Sequence, residues 1–201
     1  MSFIVFLGCD GSGKSAVIGR LEEDLRARGV PVTTGHWRPR FPNSSSASAL
    51  AAAEDPHGGA PRGLPASVLK LGWIWLNWWV AWFAYLRRDR ARGVVLFDRY
   101  HGDLVVDPRR YRYGGPRWLG KMAARLMPQP DWVVFLDAPP EVLLARKNEV
   151  GREALERSRA GYQAHCQKLA NAVVVDASQS LDAVVAEVAR RTGIDQGTAR
   201  E

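Results

Sequence analysis

Short apolar runs alternate with longer amphipathic stretches along the chain. The apolar runs predict buried strands at 2–7, 30–34, 94–97, 132–136 and 172–175. Stretches whose apolar residues recur every three or four positions predict helices at 15–28, 67–90, 118–126, 140–147, 153–170 and 181–191. Because strands and helices alternate, the pattern predicts an α/β fold with a parallel sheet.

Three segments fall outside this alternation. Residues 42–65 are rich in Ser, Ala, Gly and Pro, which predicts a mobile loop with a short helix around 47–53. Residues 107–116 predict a basic loop, and 193–201 predict a frayed tail. A length of 201 residues suits one domain, so we interpret 1–201 as a single domain.

The composition excludes several classes of protein. Hydrophobic residues make up 46% of the chain and charged residues 24%, which is not typical of disordered, collagen-like or coiled-coil proteins. The two cysteines, Cys9 and Cys166, are too few for a disulfide scaffold, and the four histidines lack metal-ligand spacing. No basic region precedes the first apolar run, so we expect no signal peptide and a cytoplasmic protein.

The net charge of +7 is concentrated in one segment. The residues from Arg87 to Arg125 carry the whole positive excess, and the rest of the chain is neutral. Such a segment is either a solvated basic face or a site for phosphates, nucleic acid or a membrane surface. We expect no nucleic acid, because helix-turn-helix, RNP and zinc-finger patterns are absent from the sequence.

The strongest motif lies between the first strand and the first helix. Residues 8–15, GCDGSGKS, fit the phosphate loop G-x-x-x-x-G-K-[ST] without a mismatch. Its glycines allow backbone N–H groups to surround an anion, Lys14 reaches the β- and γ-phosphates, and Ser15 ligates Mg²⁺. The alternative is a glycine-rich turn that binds nothing. The sequence has no N-K-x-D motif and no second ATPase module, which favours a compact kinase over a GTPase or a motor.

Four features together carry a family resemblance. Asp10 precedes the central glycine of the loop, Asp98-Arg99-Tyr100 ends the third strand, the fourth strand continues as VVFLDAPPEVLLARK, and the fifth as VVVDASQSLDAVVAEV. The chain resembles the thymidylate kinase family of nucleoside-monophosphate kinases over residues 3 to about 191. The resemblance implies a P-loop NTPase fold with a five-stranded parallel sheet flanked by helices. It also implies ATP and Mg²⁺ as cofactors, a LID at 146–153 and a homodimer.

The resemblance also implies roles for individual residues. Asp98 would lie beside Mg²⁺ with Ser15, Arg99 would hold an anionic acceptor, and Asp10 would contact a sugar hydroxyl of the acceptor. The residues implied to bind the cofactor are Gly8, Asp10, Gly11, Ser12, Gly13, Lys14, Ser15 and Arg146, and those implied to act in catalysis are Lys14, Asp98, Arg99, Asp10 and Arg146. The resemblance also makes Lys147 and Arg152 candidate cations of the LID. Simpler interpretations are an Asp98–Arg99 structural ion pair, a solvated Arg152, and Asp137 as the cap of the following helix.

The acceptor side departs from the family. GHWRPR stands where R-x-P-G-G is usual, and HGDLVVDPRRYRYGGP replaces the residues that place the thymine. The candidate acceptor-binding residues are Asp10, Trp37, Arg38, Arg40, Arg99, Tyr100, Arg109 and Arg112. The surplus of arginines favours a small acceptor that already carries phosphate or carboxylate. A hydroxyl acceptor would need a base, such as Asp10, Asp98 or Asp103. We expect a nucleoside monophosphate, with dTMP tested first. The alternatives are a sugar or glycan-pathway metabolite, or a nucleotide-binding module without catalysis.

A tryptophan-rich helix lies between the second and third strands. Lys70 is the only charged residue from Val68 to Leu86, but a transmembrane span would put neighbouring strands on opposite sides of a membrane. One face is expected to pack on the sheet. The other is interpreted first as a dimer interface, then as the wall of an acceptor pocket, and last as a membrane contact with Arg87, Arg88, Arg90 and Arg92. Cys9 is either an oxidation-sensitive thiol or, preferably, a filler residue, and Cys166 is expected in the core.

Overall fold

The fold is a five-stranded parallel sheet flanked by helices, as the sequence predicted. It was analysed in a computed structural model that describes residues 2–37, 39, 63–106, 113–147 and 151–195. The strands are β1 (Ser2–Leu7), β2 (Val32–His36), β3 (Val94–Asp98), β4 (Trp132–Asp137) and β5 (Ala172–Asp176). They are ordered β2-β3-β1-β4-β5, and every pair is parallel. Each strand is followed by helical connections that cover the faces of the sheet. The strands are apolar because these helices bury them.

The helices of the described residues agree with the predicted order, with one addition. They are α1 (Lys14–Ala27), α2 (Leu64–Ala81), α3 (Arg87–Arg92), α4 (His101–Val106), α5 (Arg117–Arg125), α6 (Pro140–Arg146), α7 (Arg152–Cys166) and α8 (Leu181–Thr192). A π-helical turn, Trp82–Leu86, joins α2 to α3, so that residues 64–92 form one continuous tryptophan-rich helix. The sequence did not predict α4, because six residues are too few to display a helical period.

Strand order places the candidate site at one edge of the sheet. β1 is central, with β3 on one side and β4 on the other, and in register Phe6 lies beside Asp98 and Leu7 beside Phe135. The chain therefore leaves β1 between the carboxyl ends of two neighbouring strands. This is the crevice in which open α/β sheets bind their ligands.

The core beneath the tryptophan-rich helix is aromatic. Trp78 is 1% exposed, and its ring centroid lies 4.5 Å from that of Tyr100 and 4.9 Å from that of Phe97. Phe3 packs edge-on against both Phe97 and Tyr100. This packing confirms that one face of the helix covers the sheet. None of the helices in the described part of the chain combines the length and apolar character needed to cross a membrane.

Several element boundaries differ from the prediction for local physical reasons. β2 begins at Val32 rather than at residue 30, because the Val30 N–H donates to Leu25 O and completes the end of α1. α7 ends at Cys166 and not at 170, since its last carbonyls close a turn with Gln167, Lys168 and Leu169.

Two of the three segments predicted to be unstructured are shorter than expected, the loop before the tryptophan-rich helix and the C-terminal tail. The tryptophan-rich helix already begins at Leu64, with Pro65 in its first turn, where the loop was expected to reach residue 65. The tail was predicted to fray from 193, but Gly193 caps α8 in a left-handed conformation and Ile194 is buried. The predicted loop at 42–62, its short helix at 47–53, and residues 196–201 of the tail lie outside the described residues.

Asp137 does not cap the helix that follows β4. The N-terminus of α6 has no side-chain cap. The Asp137 carboxylate instead accepts two hydrogen bonds from Arg159, at 2.7 and 2.9 Å, and one from Gln163 at 3.0 Å. Its role is therefore to tie α7 to the end of β4, and the prediction of a cap was wrong.

Candidate active site

The loop from Gly8 to Ser15 connects β1 to α1 and is packed tightly against its surroundings. Gly8 and Gly11 have positive φ values, and a Cβ atom on them would lie 2.7 Å from Leu136 O and 2.6 Å from Leu143 O. Only glycine meets both requirements, positive φ and close approach to a carbonyl. The N-terminus of α1 therefore opens towards the crevice with backbone N–H groups that α1 itself does not use.

Lys14 is buried beneath this loop. Its Nζ donates to Gly8 O at 2.9 Å, to Cys9 O at 2.8 Å and to Ser12 Oγ at 3.1 Å. Burial, together with the nearby Arg99 guanidinium, lowers the pKa of Lys14 from 10.5 to about 8. A bound anion would replace these neutral acceptors and favour the charged lysine.

Ser15, in the first turn of α1, meets Asp98 at the carboxyl end of β3. Ser15 Oγ donates to Asp98 Oδ2 at 3.2 Å, and Asp98 Oδ1 is buried without a hydrogen-bond partner among the described residues. A hydroxyl and an incompletely paired carboxylate are oxygen ligands of the kind that Mg²⁺ takes, with phosphate and water completing its shell. The two residues thus fit the predicted metal site. No group of three or more His, Cys, Asp or Glu side chains in the described ranges is arranged to hold a metal ion by itself.

Arg99 is the most strongly constrained residue of the site. Its backbone is left-handed, with φ of 69°, and its N–H donates to Phe6 O at 2.9 Å. The buried guanidinium donates to Asp10 at 2.6 Å, to Asp103 at 2.9 Å and to the Tyr162 hydroxyl at 3.3 Å. Arg99 thus forms a cluster with Asp10 and Asp103, which the simpler interpretation of an Asp98–Arg99 ion pair did not include. A non-glycine residue held at positive φ with buried charges is typical of functional sites.

The sequence did not predict a role for Tyr162. It lies on the inward face of α7, where Leu155, Tyr162 and Cys166 recur at helical spacing and are all buried. That spacing predicts a buried residue but not its partner, because the contact joins residues 63 positions apart. Asp103, which was weighed as a base, is fully buried against Arg99 and has no exposed surface.

The other acceptor candidates are placed differently from one another. Trp37 is half-buried, has φ of 50°, and its N–H donates to Asp98 O at 2.8 Å. Tyr100 is 2% exposed and its hydroxyl donates to Pro128 O, so that it forms part of the aromatic core. Arg38, Arg40, Arg109 and Arg112 lie outside the described residues.

A small cavity separates the acceptor side from the tryptophan-rich helix. Its volume is about 20 Å³, enough for one water molecule, and its lining includes Trp37, Trp75, Trp78 and His101. Burial, with the charge of His165, lowers the pKa of His101 to about 3, so its imidazole is neutral. Among the described residues the helix lines this small cavity, and its interpretation as the wall of an acceptor pocket stays a prediction.

The LID residues lie on the opposite side of the crevice from β3. Arg146 is exposed at the end of α6, and its Nη1 donates to Ala177 O at 2.8 Å, directly after β5. Arg152 is exposed and pairs with Glu141 and Glu156, as expected of a solvated helix residue. Lys147 follows α6, and residues 148–150 of the LID lie outside the described ranges.

Cys9 is a filler residue of the loop. Burial raises the pKa of its thiol to about 11, which outweighs the opposing effect of Lys14. The interpretation of Cys9 as a reactive, oxidation-sensitive thiol is wrong, because the thiol is neutral and buried. Cys166 is 3% exposed and lies in the core, as predicted.

A larger cavity, of about 820 Å³, lies between α8 and the ends of β4 and β5. Its lining does not include the phosphate loop. The charged groups around it are already paired, Arg159 with Asp137 and both Arg190 and Arg191 with Glu187. We therefore assign no chemistry to this cavity.

Comparison with known proteins supports the resemblance predicted from the motifs. No family model matches the chain. A thymidylate kinase from Akkermansia muciniphila is 29% identical over 182 residues, which cover 80% of this chain and 74% of that protein. The crystal structure of thymidylate kinase from Ehrlichia chaffeensis superposes with a TM-score of 0.62 at 18% identity, covering 94% of this chain and 97% of that one. The chain is similar to thymidylate kinases in sequence and has their fold.

Proposed function

We propose that this protein is an ATP- and Mg²⁺-dependent kinase that moves the γ-phosphoryl group of ATP to a small acceptor. Its likeness to thymidylate kinases indicates the kinase class. The observation that carries the proposal is the meeting of Lys14, Ser15 and Asp98 at the carboxyl ends of β1 and β3. Lys14 and Ser15 open α1 and Asp98 ends β3, and the parallel pairing of β1 with β3 brings these two elements together.

Lys14 would bind the β- and γ-phosphates. Its Nζ now donates to two loop carbonyls and one hydroxyl, and phosphate oxygens are stronger acceptors than any of them. A fixed ammonium group at this point stabilises the charge that develops as the phosphoryl group leaves.

Ser15 and Asp98 would hold Mg²⁺. When bound, the metal neutralises phosphate charge during transfer. Ser15 Oγ has to turn from Asp98 Oδ2 to act as a ligand, while Asp98 Oδ1 has no partner to give up among the described residues. Binding of Mg²⁺ by Ser15 and Asp98 would thus replace only the one hydrogen bond between these two side chains.

Arg146 would lie against the adenine and phosphates of the donor. It stands at the end of α6, and its bond to Ala177 O fixes the guanidinium beside the loop after β5. Arg152 already has two carboxylate partners, so we assign it a weaker role in the LID than Arg146.

The Asp10–Arg99–Asp103 cluster would receive the acceptor. Asp10 is 16% exposed, more than Arg99 or Asp103, so it is the member of the cluster that an acceptor meets first. A hydroxyl of the acceptor would bind this carboxylate, and an anionic group would bind the Arg99 fork. A nucleoside monophosphate provides both groups, and dTMP is the first to test.

The first experiment is ATP consumption by the pure protein with Mg²⁺ and a panel of acceptors. The panel contains dTMP, other nucleoside monophosphates, sugars and sugar phosphates. Turnover with a nucleoside monophosphate supports the proposal as stated. Turnover only with a sugar-type acceptor would support kinase activity but with a different acceptor from the one proposed. No turnover with any acceptor would favour a nucleotide-binding module without catalysis.

Asp98→Ala tests the metal site. We expect the variant to lose at least about 100-fold in turnover, because it removes a carboxylate beside the transferring group, while ATP binding largely persists through the loop. The readouts are ATP consumption and calorimetric titration with ATP. Asp182→Ala, at an exposed carboxylate in the first turn of α8, is the matched control and should keep full turnover. Unchanged turnover of Asp98→Ala would refute the assigned role.

The expected homodimer, the cytoplasmic location and the absence of nucleic-acid binding stay predictions. The mass of the particle in solution tests the first of them. A monomer at all concentrations would contradict it without affecting the proposed chemistry.

A further inference from the structure

The guanidinium group of Arg99 is held differently at its two ends. Its Nη1 donates to Asp103 Oδ2 at 2.9 Å and to the Tyr162 hydroxyl at 3.3 Å, while its Nη2 donates to Asp10 Oδ1 at 2.6 Å. Asp103 is 0% and Tyr162 2% exposed, whereas the Asp10 side chain is 16% exposed. The partners of Nη1 are therefore enclosed by protein, and the partner of Nη2 is the one that solvent reaches.

The helices that supply the two partners of Nη1, α4 and α7, approach each other closely at two glycines. A Cβ atom at Gly102 of α4 would lie 2.9 Å from His165 Nε2 of α7. A Cβ atom at Gly161 of α7 would lie 2.9 Å from Val106 Cγ1 of α4. Neither position has room for a larger residue unless its neighbour moves, so each helix presents a glycine to a side chain of the other.

This contact determines where the partners of Arg99 lie. Asp103 directly follows Gly102 in α4, and Tyr162 directly follows Gly161 in α7. Because each partner is adjacent to a point where the helices touch, the separation of α4 and α7 sets the separation of the carboxylate and the hydroxyl. The backbone of Arg99 is itself fixed, with φ of 69°. A fixed backbone and two fixed partners together define the direction of the guanidinium.

We propose that Asp103 and Tyr162 are positioning residues, and that the glycine contact between α4 and α7 sets the orientation in which Arg99 presents Nη2 to the acceptor. An anionic group of the acceptor exchanges with Asp10, while Nη1 keeps its buried partners. Arginine binds anions through a rigid planar fork, so a rotated guanidinium lowers turnover. The inference rests on the proposed function, because it acts through the acceptor-binding role of Arg99.

Gly161→Ala tests the helix contact. The added Cβ meets Val106 Cγ1, and valine is stiff at χ1, so the helices have to move apart. Alanine favours a helix more than glycine does, so the folding of α7 is not the expected defect. We expect kcat to fall by about 10–100-fold, because small displacements of a positioned group are costly. ATP consumption at saturating acceptor measures kcat, and thermal melting confirms that the variant is folded.

A second substitution should restore the activity. Gly161→Ala with Val106→Ala removes the atom that the new Cβ meets, and kcat should return to within about threefold of the parent. Gly19→Ala is the matched control, because it places the same substitution in α1 where a Cβ has no neighbour within 4 Å, and it should keep full turnover. Unchanged kcat in Gly161→Ala, or a loss that the second substitution does not restore, overturns the proposal.

A double-mutant cycle tests whether Asp103 acts through Arg99. Asp103→Ala removes the acceptor of Nη1 and should lower kcat, whereas Asp103→Asn keeps an oxygen acceptor and should retain more activity than the alanine variant. In an Arg99→Ala background the loss of Asp103 should cost nothing further, because the group that it positions is already absent. A fall of the same size in both backgrounds overturns the proposal.

A measurement without turnover separates this inference from the proposed function. Nitrogen-15 NMR resolves the two Nη groups of an arginine when rotation of its guanidinium is slow, and Arg99→Lys identifies the signals of Arg99. We expect separate Nη signals in the parent and merged or broadened signals in Asp103→Ala and Gly161→Ala. Unchanged signals in these variants overturn the proposal. If the signals behave as expected but no acceptor is turned over, the proposed function fails and the holding of Arg99 stands.

Discussion

Buried charge organises the site at the scale of single residues. Lys14, Arg99, Asp103 and the partly exposed Asp10 stand within one cluster, and Arg99 accepts a left-handed backbone to reach it. The phosphate-loop motif predicted the roles of Lys14 and Ser15, because these roles depend on backbone that is adjacent to them in the sequence. The contact of Arg99 with Tyr162 joins distant parts of the chain, and local pattern carries no information about it.

The pKa of Lys14 gives a prediction about proton uptake. The folded-state pKa, about 8, lies below the value of 10.5 in the unfolded chain, so this group contributes stability that increases as pH rises from about 8 to 10.5. A phosphate anion favours the charged lysine and raises its pKa again. Within that window we therefore expect ATP to bind with uptake of a proton and with affinity that falls as pH rises.

Calorimetric titration with ATP in buffers of different ionisation enthalpy measures this uptake. Lys14→Arg is the control, because an arginine is charged throughout the window and has no proton to gain. Equal proton uptake in the parent and the variant would show that another group is responsible.

At the scale of elements, the tryptophan-rich helix shows what a pattern can and cannot predict. The sequence predicted a helix apolar on more than one face, and both faces are present. It did not identify which tryptophan is buried, because the spacing of Trp75, Trp78, Trp79 and Trp82 is consistent with more than one orientation. Trp78 is the fully buried tryptophan, because its ring packs against Phe97 and Tyr100. Short elements such as α4 were missed for lack of a full period.

Two tryptophan substitutions on the same helix should differ sharply in stability. Trp78→Ala removes a fully buried ring and should lower the free energy of unfolding by about 3–5 kcal/mol. Trp73→Ala removes a ring that is 53% exposed and should lower it by about 1 kcal/mol or less. Urea denaturation measures both. Similar losses would mean that the helix does not pack on the sheet through Trp78.

At the scale of the whole molecule, strand order explains why the site could be predicted at all. The sequence placed the phosphate loop after β1 and the Asp98 motif after β3, and parallel pairing of these two strands puts both at one edge. The acceptor side was less predictable. There the chain departs from the family, and Arg38, Arg40, Arg109 and Arg112 lie outside the described residues.

Because the crevice is built from the core strands themselves, ligand binding should stabilise the whole domain. ATP with Mg²⁺ at about 100 times its dissociation constant adds about 2.7 kcal/mol to the native state, which raises Tm by about 5–10 °C for a chain of this size. Lys14→Ala should lose most of this shift in calorimetric melting. A shift of the same size in the variant would place the nucleotide elsewhere.

The π-helical turn at Trp82–Leu86 sets the rotational phase between the two ends of the long helix. A single extra residue turns everything beyond it by about 100° around the helix axis. In this phase Trp78 is buried against the sheet, and Arg90, farther along the helix, donates from Nε to the Asp131 carboxylate at 2.9 Å. The same carboxylate accepts the N–H of Phe3 at 2.7 Å. In a regular α-helix only one of the two side chains, Trp78 or Arg90, would face its partner, because the other would be rotated away around the helix axis. The π-helical turn therefore determines the orientation of the outward surface of the helix relative to the strands.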